Sequence, residues 1–304
     1  MRYIDLHCDT LNPEGPLQVS RERLEQGGCT LQCFAAFVSS RTDRFRQAIS
    51  LADSFYALCK REGIKPVGDS LDLGINAMLT VEDGGAIEGD LKKLDALFER
   101  GVRMMTLTWN YENEIGYPAF PDYEGLLAGR RTFSEREGER GLKRFGFECV
   151  ERMNELKMIV DVSHGSDKLV EDVAAVSKKP FVASHSGARS AFDCARNLTD
   201  DGIRLIAQSG GVIGLYFCAD FLSGDLSAEG QRGALLRHAR AILNAGGEDC
   251  LALGSDFDGI PENAYLPSPA AVPKLLDDFS KEFGERVAEK IASGNFLRVM
   301  KEVL

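Results

Sequence analysis

The sequence predicts an α/β protein of the (β/α)8, TIM-barrel type, with residues 1–304 forming one domain. Three observations predict that class. Short apolar runs recur eight times, amphipathic stretches separate most of them, and neither a linker nor a repeat interrupts the alternation. Parallel strands buried on both faces read as nearly unbroken apolar runs, and strands alternating with helices build a parallel sheet. At 304 residues the chain is long enough for two average domains. Eight units without a change of pattern favour one closed barrel, which typically occupies ~250 residues plus insertions.

Taken in order, the expected strands are Tyr3–His7, Cys29–Val38, Ile75–Glu82, Met104–Thr108, Met158–Ser163, Phe181–Ser184, Gly211–Tyr216 and Cys250–Gly254. Between Glu139 and Leu156 the residues Leu142, Phe145, Cys149, Val150, Met153 and Leu156 recur at helical spacing and predict one helix. Leu169, Val170, Val173 and Val176 form the next stripe, with Ser166 as its N-cap. Thr199 caps a further helix that runs out at Gly210 and Gly211, residues suited to a left-handed C-cap. Two stretches break the rhythm: Trp109–Gly138, and Ile260–Pro273 with its four prolines. Each follows the C-terminal end of a strand, where barrel enzymes carry their substrate-covering loops.

Composition narrows the function. A net charge of −11 argues against a nucleic-acid surface or an anionic membrane, since both need clustered Lys and Arg. The N-terminus enters Tyr3-Ile4-Asp5-Leu6-His7 without a basic n-region, and no stretch is long and apolar enough to span a bilayer, so a cytoplasmic location is expected. The eight cysteines are scattered and read as reduced thiols. Cys29 and Cys33 lack a second ligand pair for a structural zinc site.

With only four histidines, position is informative. His7, His164 and His185 end candidate strands, whereas His238 falls in a helical pattern and reads as structural. Asp9 lies two residues beyond His7, on the same face of an extended backbone, and Glu82 and Asp256 end strands of their own. Six such residues on one rim fit zinc, and two close metals can share a carboxylate. Several buried acids without cations would be costly, because like charges must protonate or be neutralised. A bridged pair of metals would bring hydroxide within reach near neutral pH, and Asp256 is the candidate for carrying the proton to a leaving amine. Arg196 can pair with a substrate carboxylate or, equally, form an ordinary salt bridge. Gly210-Gly211-Val212-Ile213-Gly214 enters a strand and makes no phosphate loop; Ser184-His185-Ser186 lacks the glycines of a nucleophile elbow.

Segments along nearly the whole chain resemble the membrane (renal) dipeptidase family of the metal-dependent amidohydrolase superfamily. They include Asp5-Leu6-His7-Cys8-Asp9-Thr10, Val81-Glu82-Asp83-Gly84-Gly85, Asp161-Val162-Ser163-His164, Ser184-His185-Ser186, Arg196-Asn197-Leu198 and Gly254-Ser255-Asp256-Phe257-Asp258-Gly259. The resemblance implies two Zn2+ ions per subunit, one held by His7 and Asp9, the other by His164 and His185, with Glu82 bridging. It implies proton transfer by Asp256 and a grip on the substrate's terminal carboxylate by Arg196. The implied substrates are dipeptides, often with a D-residue at the C-terminus, and a homodimer is compatible with it. One departure stands out: where the family commonly has Leu-Thr-His, this chain has Leu107-Thr108-Trp109-Asn110. The family histidine is thought to support the substrate oxygen in the transition state, and loss of one such donor costs ~100-fold or more in rate if nothing replaces it. Asn110 and Asn113 are the candidates to compensate, and Asn113 is assigned to substrate binding with Arg196. Two other readings compete: a related amidohydrolase acting on N-acyl-(D-)amino acids, and a non-catalytic metal- or peptide-binding homologue.

Overall fold

The computed structural model describes residues 1–12, 15–67, 71 and 73–304. Eight parallel strands form its centre: β1 (Tyr3–Asp5), β2 (Cys29–Phe37), β3 (Asn76–Glu82), β4 (Val102–Thr106), β5 (Ile159–Asp161), β6 (Ala183–Ser186), β7 (Ile213–Leu215) and β8 (Leu251–Leu253). They neighbour one another in the order β5-β4-β3-β2-β1-β8-β7-β6. The regular ladder stops between β5 and β6. A single parallel bridge, Asp161 to Val182, spans that gap, supported by Val162 N–H donating to Val182 O at 2.8 Å and Val182 N–H to Val160 O at 2.9 Å.

Each expected run overlaps one of these strands, although β4 begins two residues early, at Val102, and β6 ends two residues late, at Ser186. The other six are shorter than expected, mostly because the backbone turns away at the C-terminal tips. His7 lies just past β1, and His164 and Asp256 adopt positive φ, 65° and 67°. One short strand, Lys65–Pro66, was not anticipated; it flanks β3 from outside the ring.

The interior is a packed core and not a channel. Ile4, Leu6, Leu31, Cys33, Met78, Met104, Ile159, Val182, Val212 and Ala252 fill it from every strand or its flank. Phe296, Val299, Met300 and Val303, one stripe of the C-terminal helix Asn295–Val303, close the floor. The opposite end is therefore the one free to hold a site.

The expected caps are observed. Ser166 Oγ accepts from Leu169 N at 3.0 Å, and Thr199 Oγ1 from Gly202 N at 3.0 Å. The helix expected from Glu139 instead starts at Arg144. Residues before it pair with the long loop: Gly116 bridges Leu142, and Lys143 N–H donates to Ile115 O at 2.7 Å. A tertiary partner for those backbone groups outweighs local helical preference.

Candidate metal centre and active site

Two buried carboxylates prepare the rim. Asp5, at the end of β1, accepts Ser255 N at 2.8 Å and Ser255 Oγ at 2.6 Å, tying β1 to the loop after β8. His7 N also points to it, at 3.3 Å. Asp161, at the end of β5, is fully enclosed and accepts five hydrogen bonds at 2.5–2.9 Å, from Thr106 Oγ1, Ser163 N and Oγ, and Ser184 N and Oγ. These bonds set the directions in which His7, His164 and His185 leave their strands.

Donor logic then fixes the imidazoles. Asp161 accepts Ser184 Oγ–H at 2.6 Å; that hydroxyl proton being used, Ser184 Oγ accepts from His185 Nδ1–H at 2.8 Å. His164 Nδ1–H likewise donates to Asn110 Oδ1 at 2.8 Å. Both rings therefore present a bare Nε2, and the two Nε2 atoms stand only 2.9 Å apart. Glu82 Oε1 lies 3.0 Å from His164 Nε2 and 3.5 Å from His185 Nε2. Three lone-pair donors converge where no proton is left to share, an arrangement that suits a cation.

Glu82 reaches a second group through its other oxygen. His7 Nε2 is 3.6 Å from Glu82 Oε2, 3.4 Å from Asp9 Oδ2 and 3.8 Å from Asp256 Oδ1. His7 Nε2 and Asp9 Oδ1 are buried without a hydrogen-bond partner. Donor atoms of His7, Asp9 and Glu82 lie within 4.8 Å of one another, as do those of Glu82, His164 and His185, and those of His7, His185 and Asp256. Unpartnered buried donors of nitrogen and oxygen type, clustered twice around one shared carboxylate, fit divalent metal ions.

Electrostatics point the same way. Burial alone would lower His7, but Asp9 and Glu82 outweigh it and hold the imidazole well above its ordinary range. Burial pushes Asp256 well up, and burial with the neighbouring Glu82 charge raises Asp9. Burial keeps His164 and His185 well below the usual imidazole range. Acids pushed towards their neutral form beside imidazoles kept neutral are what a cation would relieve.

The centre opens into a cleft of about 470 Å3 whose lining includes Asp9, Glu82, His164 and Asp256. The long loop supplies much of its wall, including Trp109, Asn110 and Tyr123; the loops after β7 and β8 add Phe221 and Ile260. Arg196 is 4% exposed, donates through Nη2 to His185 O at 3.3 Å, and leaves its Nε buried without a partner. It lies next to β6, the strand that carries His185, without forming part of the cleft lining.

Asn113, expected to contact substrate, is fully engaged elsewhere. Its Nδ2 donates to Asp83 Oδ1 at 2.7 Å and Leu107 O at 2.8 Å, and its Oδ1 accepts Ile115 N and Gly116 N. The structure thus places it inside the loop's anchor, away from the cleft. Asn110 lines the cleft but is held by His164. His238 is structural, as expected: Nδ1 accepts Ala188 N and Nε2 faces Leu222 O, both at 3.0 Å. The supporting Asp5, Asp161, Ser184 and Ser255 were not singled out from sequence. A carboxylate inside an apolar strand, two or three residues before the histidine at its tip, is the signal that marks Asp5 and Asp161.

The model of the membrane dipeptidase family, peptidase family M19, matches residues 3–304. The chain belongs to that family. Membership makes this M19 protein a hydrolase of the metallopeptidase class. An uncharacterized protein in the pqqA 5' region of Klebsiella pneumoniae is 34% identical over 226 residues, 73% of this chain and 80% of that protein. Dipeptidase 3 of Mus musculus is 29% identical over 300 residues, 94% of this chain; the chain spans 58% of that relative's length. Among solved structures, a dipeptidase AC of family M19 superposes with a TM-score of 0.86 at 24% identity, covering 100% of this chain and 98% of that one. A metallopeptidase from Rhodobacter sphaeroides, liganded with a phosphinate mimic of the dipeptide L-Ala-D-Ala, gives 0.84 at 22% identity, covering 100% and 99%. At those identities the likeness establishes the barrel fold of this M19 member.

Proposed function

We propose that the protein is a zinc-dependent dipeptidase that cleaves the amide bond of dipeptides, L-Xaa-D-Xaa among them. The observation that carries this reading is the pair of donor groups, His7 with Asp9 and His164 with His185, sharing the Glu82 carboxylate at the base of an open cleft. Those residues would hold two ions, with Glu82 between them. Bound there, divalent zinc supplies a Lewis acid for the carbonyl and lowers the pKa of water enough for attack near neutral pH.

The chain's own groups do the rest. Asp256 lines the cleft on the His7 side and passes a proton to the leaving amine. Arg196, desolvated and with an unused Nε–H, grips the terminal carboxylate of the substrate. Asn110 keeps the His164 ring in the tautomer that leaves Nε2 bare. Trp109 stands where the family commonly has its histidine and brings a large apolar surface to the reacting carbonyl. That surface also gives room to the acyl group of an N-acyl-amino acid, which makes such amides the second reading.

No helix among the described residues is long and apolar enough to cross a membrane. The eight cysteines are all unpaired and buried, in keeping with a reducing cytoplasm.

The test is hydrolysis, by zinc-loaded enzyme, of L-Xaa-L-Xaa and L-Xaa-D-Xaa dipeptides, their C-terminal amides, and N-acetyl amino acids. Turnover of free dipeptides, weaker turnover of the amides, and loss of both in Glu82→Gln support the reading. Turnover confined to N-acyl substrates replaces it with the second, and none at all in protein holding two zinc ions defeats both.

A further inference from the structure

The wall of the cleft facing the carboxylates is aromatic, and it is built as one connected surface. Trp109 packs on Phe37 with ring centroids 4.9 Å apart and edge-on to Tyr123 at 5.3 Å. Phe133 meets Phe221 at 5.3 Å, and all five rings line the cleft together with Leu127. The Trp109 ring lies 6.0 Å from that of His164, so the surface begins beside the metal ligands. Leu127 is 64% exposed and Phe133 40% exposed, although the rest of the protein buries most residues of their kind. Apolar side chains left open around a concave, polar-tipped site mark the place where a ligand's own apolar surface belongs.

Two further observations make the wall a fixed feature. The loop that carries most of it is bonded at both sides of the centre: Ala119 N–H donates to His164 O at 2.7 Å, and Ala195 N–H, next to Arg196, donates to Phe133 O at 2.7 Å. On its outer side Tyr111 OH donates to Glu124, while Arg41 lies 4.2 Å over the Tyr111 ring. The order of strands around the barrel also gives it a direction. Arg196 follows β6 and Phe37 ends β2, four places away in the ring of eight, so Phe37 stands across the centre from Arg196, with Trp109, which follows β4, packed against it.

We infer that Phe37 and Trp109 select a large apolar side chain, aromatic above all, on the acyl side of the scissile amide. The inference rests on the reading of the site as a dipeptidase with Arg196 on the terminal carboxylate. With that end held at Arg196 and the carbonyl at the centre, the acyl-side residue extends towards Phe37 and the Trp109 ring packed on it. Its side chain covers the ring face, and the exposed lip at Leu127 closes over it. Asp220, a further carboxylate in the lining of this cleft, disfavours an acidic residue there.

Trp109 is the chain's only tryptophan, so its fluorescence reports on this wall directly. The probes are phosphinate analogues of Ala-Ala, Phe-Ala, Lys-Ala and Glu-Ala and of the reversed Ala-Phe, with L- and D-forms at the second residue. They are titrated into zinc-loaded protein by fluorescence and calorimetry, alongside kcat/KM for the matching dipeptides. Phe-Ala should bind at least about tenfold tighter than Ala-Ala and Glu-Ala, the range one well-filled apolar pocket provides, and should change Trp109 emission. In Trp109→Ala the calorimetric ratio should fall to about threefold or less. Leu127→Ala, at an exposed position that folding tolerates, should lower it by a smaller factor. Equal binding of Phe-Ala and Ala-Ala, or tighter binding of Lys-Ala or Ala-Phe, overturns the inference. Dipeptide turnover without this order overturns it while leaving the dipeptidase reading intact. Ordered binding without turnover of any dipeptide upholds the wall and defeats the reaction instead.

Discussion

Asp161 touches no substrate-facing atom, yet the state of His185 depends on it. A neutral amide at this position can donate to Ser184 Oγ instead of accepting from it, which frees the hydroxyl proton to move to His185 Nδ1. The imidazole would then carry its proton on Nε2, the atom needed for metal. Asp161→Asn and Ser184→Ala should therefore weaken zinc binding ~10–100-fold, the usual cost of losing a partner behind a metal-bound histidine. Competition with a chromophoric chelator measures it; unchanged affinity in both variants would contradict the tautomer assignment. His7, Asp9, Glu82, His164, His185 and Asp256 were legible in sequence because polar residues at the ends of apolar runs have few reasons to be there. Asp161 was harder to assign, since a single sequence does not show which donors a buried carboxylate will find across a barrel. Asn113 illustrates the opposite error. An amide near the site in sequence is suited to substrate, but four backbone and side-chain partners claim it first.

At the scale of the element, the loop of residues 109–138 decides what the cleft accepts, and Asn113 decides where that loop sits. Asp83, at φ 75° directly after Glu82, is pushed up to about 6 by burial, in spite of bonds from Gly85 N and Asn113 Nδ2. Asn113→Asp removes the donor and sets a second carboxyl against the first. It should lower stability by roughly 1–3 kcal/mol, seen as a fall of several degrees in Tm, and should reduce kcat as the wall moves relative to His164. A variant with wild-type Tm and kcat would show that the anchor is dispensable. Sequence periodicity located this loop and the helices around it, but placed the following helix start five residues early, at Glu139 in place of Arg144. Pairing between Gly116 and Leu142 is a long-range event that leaves no helical or strand period to detect.

Across the whole molecule, alternating strands and helices in the sequence were enough to predict the barrel, because each strand must be apolar on both faces. What they did not reveal was how the ring completes itself at β5 and β6, where one bridge replaces a ladder and Asp161 and Ser184 join across the same gap. His238 links the helix Ala228–Gly246 to the loop after β6 and to Leu222. Burial lowers it to about 4, against a bond to Leu222 O that raises it and with Arg237 adding to the decrease. The unfolded chain takes up a proton at this residue near pH 6.5 and the folded chain does not. Its contribution to stability is thus complete above that pH and is lost as pH falls from 6.5 towards 4, by up to about 3 kcal/mol. In urea titrations of the zinc-loaded protein, His238→Gln should flatten stability over that window; an undiminished slope would assign the acid sensitivity elsewhere.

Hydrolysis at two zinc ions joined by Glu82 is tested by a zinc titration of metal-stripped protein, with the rate of dipeptide cleavage followed at each equivalent added. Stripped protein should show no activity, the rate should level off at two equivalents per chain, and Glu82→Gln should show no recovery. Full activity in the stripped protein, or a Glu82→Gln variant that recovers as wild type does, would contradict it.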